Sequence, residues 1–232
     1  MDKLAVFVEG QTEQIFTARL IEKIAGEKNV CIVKHEVRGG QNPNYRILEA
    51  LAAPEGRKYF VLIVDCVGDN RVKSKITDNY QSLVSNGYQA IIGIRDVYPD
   101  VAYHDIAKLR RGFDYKVKTK PIQVVFILGV MEIETWFITE HTHFQKMDAR
   151  LTMARIRGAL GFDPSVDDIQ LRPKPSDDLH SIYQLAGMAY TKSKARVQRT
   201  VDKLDYERIY LELGDKLPDL LNFVNAIDNF LS

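Results

Sequence analysis

Cysteine is scarce in this chain. Of its 232 residues, only Cys31 and Cys66 are cysteines. Two cysteines cannot build the disulfide framework of a small secreted protein or supply the thiolates of a structural zinc site. The sequence therefore predicts a protein of a reducing, cytoplasmic compartment.

Long apolar runs are also absent. The first run, Leu4–Val8, stops at Glu9 and is too short for the apolar core of a signal peptide. No segment reaches the roughly 18 apolar residues that a membrane span needs. We therefore expect neither secretion nor an association with membranes.

An excess of one charge is missing as well, since 32 basic residues face 31 acidic ones and the formal net charge is +1. The overall charge thus gives no sign of a nucleic-acid binder, and any such contact must use a local basic surface. The chain also lacks the G-x-S-x-G, P-loop and G-x-G-x-x-G motifs. Serine hydrolases, P-loop NTPases and dinucleotide enzymes therefore have no support.

What the sequence does contain is an alternation of strand and helix patterns over residues 1–136. Short apolar runs typical of buried strands are separated by stretches with helical periodicity. Such alternation favours the α/β class, here a TOPRIM/Rossmann-like, mostly parallel sheet flanked by helices. The predicted strands cover residues 4–8, 30–37, 59–64, 90–94 and 122–130, and the predicted helices cover 12–25, 44–53, 72–85 and 103–113.

Beyond Trp136 the strand pattern stops. The clearest later pattern runs from Leu217 to Leu231, where apolar residues recur with helical spacing. We interpret this stripe as a helix docked on the core. The sequence therefore predicts an α/β domain at residues 1–136 and a helical C-terminal extension, 137–232, packed on it.

Carboxylates follow four of the five predicted strands. Because the carboxyl ends of parallel strands share one edge of a sheet, we expect these acids to converge. Clustered carboxylates repel one another unless a cation neutralises them, and their hard oxygen ligands suit Mg²⁺ or Mn²⁺ better than Zn²⁺. Two such ions can promote phosphodiester cleavage. The strand-end acids are Glu9, Asp65 with Asp69, Asp96, and Glu132 with Glu134.

Four short motifs carry a family resemblance. VEGQTE at residues 8–13 resembles the opening motif of TOPRIM domains, the metal-binding module of topoisomerases, primases and OLD-type nucleases. VDCVGDN at 64–70 resembles their second, aspartate-rich motif. RDVYP at 95–99 and EIETWF at 132–137 resemble a small stand-alone TOPRIM-like family of bacteria and phages. That family includes the TOPRIM effector of the PARIS anti-phage system, which works beside an ABC-type ATPase.

The resemblance implies roles for two acids of these motifs. It makes Glu9 a metal ligand or general acid/base, and Asp65 a metal ligand. The strand-end acids favour Mg²⁺ or Mn²⁺ as the cofactor, with two ions, and the departure described next leaves the number of metal ions open. Glu13, in the first turn of the predicted helix, either favours the helix N-terminus electrostatically or supports the metal ligands from a second layer.

The second motif departs from the family pattern. The usual motif is Asp-x-Asp, whereas here Val67 stands two residues after the first aspartate and Asp69 follows four residues after it. Either Asp69 is a ligand on a longer loop, or Asp96 or Glu134 supplies the missing ligand. Of the two glutamates after the last strand, we favour Glu134, because it belongs to the Glu-x-Trp element.

Basic residues supply the candidates for contacts with nucleic acid. The stretches 108–120 and 190–199 combine many cations with aromatic residues, a composition suited to phosphates and bases. The alternative is two ordinary solvated helix faces. Lys73, close behind Asp69, is our candidate for reaching a scissile phosphate. The predicted nucleic-acid-binding residues are Arg71, Lys75, Arg110, Arg111, Lys116, Lys118, Lys192, Lys194 and Arg196.

Two hypotheses about function follow. The first is a metal-dependent TOPRIM-like nuclease acting on DNA or on RNA, with tRNA among the candidates. By resemblance it is a toxic effector of anti-phage defence restrained by a partner ATPase. The second is a binding or assembly subunit that keeps the fold but has a degraded metal site, as the stretched spacing between Asp65 and Asp69 permits. A homodimer is compatible with either, and the sequence leaves the substrate and the trigger open.

Overall fold

The computed structural model describes residues 1–38, 44–51, 55–68, 71–115 and 117–232. The chain divides into two compact units. The first, which we call the sheet unit, comprises Met1–Arg95, Ile106–Ile127 and Phe223–Ser232. The second, the helical unit, comprises Asp96–Asp105 and Leu128–Asn222. The predicted boundary after residue 136 falls within the helical unit.

Six strands form one sheet in the order β3-β2-β4-β1-β5-β6. Strand β1 pairs in parallel with β4 and β5, and β2 pairs in parallel with β4 and antiparallel with β3. The α/β class with a mostly parallel sheet, predicted from the alternating pattern, is confirmed. The strands are β1 Asp2–Val8, β2 Val30–Arg38, β3 Asn44–Ala50, β4 Tyr59–Asp65, β5 Ala90–Asp96 and β6 Gln123–Gly129.

Both units contain helices. Those that begin in the sheet unit are α1 Gln11–Ala25, α2 Arg71–Ser85 and α3 Ile106–Asp114. Those that begin in the helical unit are α4 Glu134–Thr139, α5 His143–Met147, α6 Met153–Leu160, α7 Pro175–Gln184, α8 Lys194–Val201, α9 Tyr206–Leu211 and α10 Pro218–Phe230. Within the described ranges, no helix has the length and apolar character to cross a membrane.

The centre of the sheet unit is tightly packed. The side chain of Gln14 on α1 donates hydrogen bonds to the backbone oxygens of His35 and Ile63, at 2.8 and 3.2 Å, and so ties the helix to β2 and β4. On β5, a Cβ atom at Gly93 would lie 2.8 Å from both Ile76 and Phe126. Glycine therefore allows α2 and β6 to pack closely against this strand.

The predicted helix over residues 44–53 is wrong. Residues 44–50 form β3, which pairs with β2. The stretch is rich in good helix formers, but pairing with β2 supplies backbone hydrogen bonds along its length, and tertiary context of this kind overrides weak local propensity. A cross-strand ion pair, 3.1 Å between Lys34 Nζ and Glu49 Oε2, adds to the pairing.

The last described residues pack against Lys28 and the start of β4 in the sheet unit. Lys28 Nζ donates to the backbone oxygen of Leu231 at 2.8 Å, and the Tyr59 hydroxyl donates to that of Ser232 at 3.1 Å. The ring of Phe230 meets that of Tyr59 edge-on, with 5.5 Å between centroids. The C-terminal segment is therefore a structural part of this unit.

Candidate functional site

The carboxyl ends of β1, β2 and β4 bring acids together in the sheet unit. Asp65, the last residue of β4, lies opposite Val8 of β1 and Glu36 of β2. Beyond the strands the backbone stays paired, because Cys66 N–H donates to Val8 O at 2.9 Å and Gly68 N–H donates to Glu9 O at 3.3 Å. We call Glu9, Glu13, Glu36 and Asp65 the strand-end cluster.

Asp65 is the most perturbed acid of this cluster. Its side chain is buried, with 6% of the residue exposed. The pKa of the Asp65 carboxyl is raised to about 6, mainly by burial. A hydrogen bond from Val67 N–H lowers this pKa, whereas repulsion from Glu13 and Glu36 raises it further. A carboxylate that is buried among other carboxylates is a common sign of a functional site.

Glu13 and Glu9 complete the strand-end cluster. Glu13, in the first turn of α1, is 4% exposed, and its Oε2 lies 3.3 Å from where a Cβ on Gly10 would stand. Glu9 is partly exposed at the end of β1. Burial, Asp65 and Glu9 together raise the pKa of the Cys66 thiol to about 12, burial most strongly. This cysteine therefore stays a thiol and is no nucleophile.

The turn after β4 is strained. Val67 has a φ of 49°, a left-handed conformation that is rare for a β-branched residue. Its N–H donates to Asp65 Oδ1 at 2.8 Å, so the unusual backbone holds one oxygen of the buried acid in place. Strain of this kind is often found at functional sites.

A second acidic group lies in the helical unit. Oxygen atoms of Asp96, Glu132 and Glu134 all lie within 4.8 Å of one another, and we call these residues the acidic triad. All three are buried, with exposures of 5%, 5% and 0%. Such a group of hard oxygen ligands has the size and chemistry to hold a divalent cation.

Specific donors orient each member of the acidic triad. Ile133 N–H donates to Asp96 Oδ1 at 2.9 Å, and the Tyr190 hydroxyl donates to Glu134 Oε1 at 2.8 Å. Ser176, in the first turn of α7, donates to Glu132 through its N–H at 2.7 Å and its hydroxyl at 3.0 Å. The carboxylates are therefore held by both the backbone and the side chains of this unit.

The backbone around the acidic triad is also special. Met131, directly before Glu132, has a φ of 60°. A Cβ on Gly129 would clash with Asp96 Oδ1 and lie 3.0 Å from Ile133 N. A residue without a side chain is therefore required where β6 ends, because Asp96 occupies that space.

Lys192 lies among the three carboxylates. Its Nζ is 3.0 Å from Glu132 Oε1, 3.7 Å from Glu134 Oε2 and 3.9 Å from Asp96 Oδ2. The sequence placed this lysine in a nucleic-acid-binding surface. In the structure its ammonium group is a counter-charge to the acidic triad.

The predicted metal ligands thus fall into two sets. Asp96 and Glu134 lie together in the helical unit. Glu9 and Asp65 lie at neighbouring strand ends of the sheet unit. Asp69 lies outside the described residues.

The other basic candidates are placed as follows. Lys73 Nζ donates to the backbone oxygens of Gly112 and Tyr115, at 2.6 and 2.7 Å, so it caps the end of α3. Lys116 lies outside the described residues. In the sheet unit, Arg71 and Lys75 lie one turn apart on α2. The exposed basic residues Arg110, Arg111 and Lys118 belong to the same unit. In the helical unit, Lys194 and Arg196 lie in the first turn of α8.

Sequence reasoning missed several residues of these sites. Glu36 lies near the end of the second strand. An acid in that position is a signal that the sequence alone offers. Glu132 was set aside in favour of Glu134, although both join the acidic triad. Ser176 and Tyr190 come from distant parts of the chain, and no local pattern marks them as donors to acids.

Comparison with known proteins adds no identification. No protein-family model matches the chain, and no curated protein or solved structure matches it either. The fold is therefore known from the structure itself, and function has to be argued from the strand-end cluster and the acidic triad.

Proposed function

We propose that this protein is a divalent-cation-dependent, TOPRIM-like nuclease that hydrolyses phosphodiester bonds in RNA or DNA. The observation that carries the proposal is the environment of Asp65. Its carboxyl is buried at a strand end, and its pKa is raised to about 6 by burial and by repulsion from Glu13 and Glu36. Concentrated negative charge of this kind is well matched to Mg²⁺ or Mn²⁺.

The donor set fits such a cation. In the sheet unit Glu9 and Asp65 would hold it, with Glu13 and Glu36 adding negative charge around them. When bound, a divalent cation supplies Lewis acidity and lowers the pKa of a water molecule. In the metal-free protein, the hydrogen bond from Val67 N–H orients one Asp65 oxygen.

The acidic triad is the second candidate site for a cation. Hydrogen bonds from the backbone and from neighbouring side chains already set the orientations of Asp96, Glu132 and Glu134. We assign basic residues of both units to the phosphates of the substrate. These are Arg71, Lys75, Arg110, Arg111 and Lys118 of the sheet unit and Lys194 and Arg196 of the helical unit.

A cleavage assay tests the proposal. Wild type, Glu9→Gln and Asp65→Asn are incubated with total RNA, tRNA and DNA in Mg²⁺, Mn²⁺ or EDTA, and the new ends are sequenced. We expect discrete ends from wild type with metal only, and a loss of at least about 100-fold in each variant. Asp78→Asn, an exposed acid on α2, is the matched control and should cleave normally. Metal-independent cleavage, or full activity of Glu9→Gln, would refute the proposal.

A binding or assembly subunit is the second candidate. It is favoured by the ammonium group of Lys192, which already balances part of the charge of the acidic triad, and by Lys73, which is engaged with backbone oxygens. In that case neither Mg²⁺ nor Mn²⁺ should raise the melting temperature. The resemblance alone suggests a restraining ABC-type ATPase and a defence role, whereas the scarcity of cysteine suggests a cytoplasmic location. Co-purification with such an ATPase would test the partner.

A further inference from the structure

We propose that Lys192 is an internal counter-cation of the acidic triad, which a divalent cation must displace in order to bind there. Lys192 is then a positioning residue: it keeps the three acids together before loading and is released when the cation arrives. This inference rests on the proposed function insofar as that function places a cation at the acidic triad.

The first argument is the position of the ammonium group. One oxygen each of Asp96 and Glu134 is held by a donor other than the lysine, namely Ile133 N–H and the Tyr190 hydroxyl. The second oxygen of each lies 3.9 and 3.7 Å from Lys192 Nζ. The ammonium group thus stands on the side where these second oxygens converge, which is where a cation would bind.

The second argument is about space. Mg²⁺ binds carboxylate oxygens at about 2.1 Å. The Nζ–oxygen distances of Lys192 are 3.0, 3.7 and 3.9 Å. If the carboxylates close around a metal ion, no volume remains for the ammonium group between them. Two positive charges in one buried site would also repel each other strongly.

The third argument is about charge. Three ionised carboxylates and one ammonium group leave the site with a net charge of −2, counted over Asp96, Glu132, Glu134 and Lys192. One divalent cation neutralises three carboxylates more fully than a lysine does. Exchange therefore improves the charge balance and lets the ammonium group return to water.

The fourth argument is that the side chain of Lys192 is open to solvent and can leave the site. Its side chain is 48% exposed, whereas the three carboxylate side chains are at most 6% exposed. The residue lies between α7 and α8, outside any helix. Once displaced, the ammonium group remains at the rim of the site, where it can meet a phosphate oxygen of the substrate. Cation loading would then also prepare substrate binding.

Mn²⁺ binding to the wild type and two variants tests this exchange. Calorimetric titration is carried out on wild type, Lys192→Met and Lys203→Met, with folding checked by circular dichroism. We expect Lys192→Met to bind Mn²⁺ at least about tenfold more tightly, because its competitor is gone. Lys203→Met, which removes an exposed lysine of the same unit that has no assigned role, should bind like wild type. Unchanged or weaker binding by folded Lys192→Met would overturn the inference.

A second measurement uses the wild-type protein, in case Lys192→Met does not fold. Amines are acylated with a limiting reagent with and without Mg²⁺, and the labelled lysines are quantified by mass spectrometry. Mg²⁺ should raise the labelling of Lys192 several-fold relative to Lys194. A constant ratio would refute the exchange, since a purely structural lysine would keep its accessibility.

The two ideas fail in different ways. If Lys192 is displaced and Mn²⁺ binding tightens in Lys192→Met, but no nucleic acid is cleaved, the nuclease proposal is wrong and the exchange stands. If cleavage requires metal but neither Mn²⁺ affinity nor Lys192 labelling responds, the exchange is wrong and the nuclease proposal stands.

Discussion

Replacing Asp65 by asparagine should make the metal-free protein more stable, and more so as the pH rises. The change removes a buried charge but keeps an oxygen that can accept the hydrogen bond from Val67 N–H. An acid with a raised pKa in the folded state binds more protons when folded than when unfolded. The free energy of unfolding therefore falls as the pH rises from the unfolded pKa towards the folded one.

The magnitude follows from the pKa. The pKa of the Asp65 carboxyl rises from 3.8 to about 6 on folding. At 1.36 kcal/mol per pH unit, the Asp65 carboxyl costs the folded state about 3 kcal/mol at pH 8, where it is ionised, and about 1 kcal/mol at pH 4.5, where it has to take up a proton on folding. We therefore expect Asp65→Asn to exceed wild type in the free energy of unfolding by these amounts.

Urea unfolding in EDTA at pH 4.5 and 8 measures both differences. Asp78→Asn, which removes an exposed acid from α2, should stay within about 0.5 kcal/mol of wild type at both pH values. Adding Mg²⁺ at about ten times its dissociation constant should stabilise wild type by about 1.4 kcal/mol and the asparagine variant less. If Asp65→Asn is less stable than wild type at pH 8, the electrostatic account of this cluster is wrong.

Two further substitutions test the packing around the sites. Gly129→Ala should lower Mn²⁺ affinity about tenfold and the free energy of unfolding by about 1–3 kcal/mol, because the new methyl group displaces Asp96. Calorimetry measures the affinity and urea unfolding the stability. The control is Gly158→Ala on α6, whose Cβ meets open space and which should change neither quantity. Lys73→Met should lower the free energy of unfolding by about 1 kcal/mol through loss of the α3 cap, and unchanged stability in the same unfolding assay would contradict that role.

Most of the sheet could be predicted because its strands are apolar and short, separated by helical periodicity. The exception, β3, shows the limit of that reasoning. Its residues are compatible with a helix, and only the partner strand β2 decides the outcome. Local pattern cannot reveal a partner that is supplied by tertiary structure.

The same limit applies to the candidate site: residues marked by a local sequence pattern could be predicted, and residues brought together only by the fold could not. Glu9, Asp65, Asp96 and Glu134 could be selected because acids at the ends of parallel strands are visible in sequence order. The place of Lys192 beside the acidic triad could not be predicted, since its contact with Glu132 joins residues 60 positions apart.

The docking of Phe230, Leu231 and Ser232 on the sheet unit has a consequence for biosynthesis. The unit that holds Glu9 and Asp65 is assembled from three separate stretches, and the last of them is Phe223–Ser232. During translation, its strands emerge long before the segment that covers the opposite end of β4 at Tyr59. The acidic edge therefore belongs to a unit that is complete only after the segment Phe223–Ser232 has been made and has docked on β4.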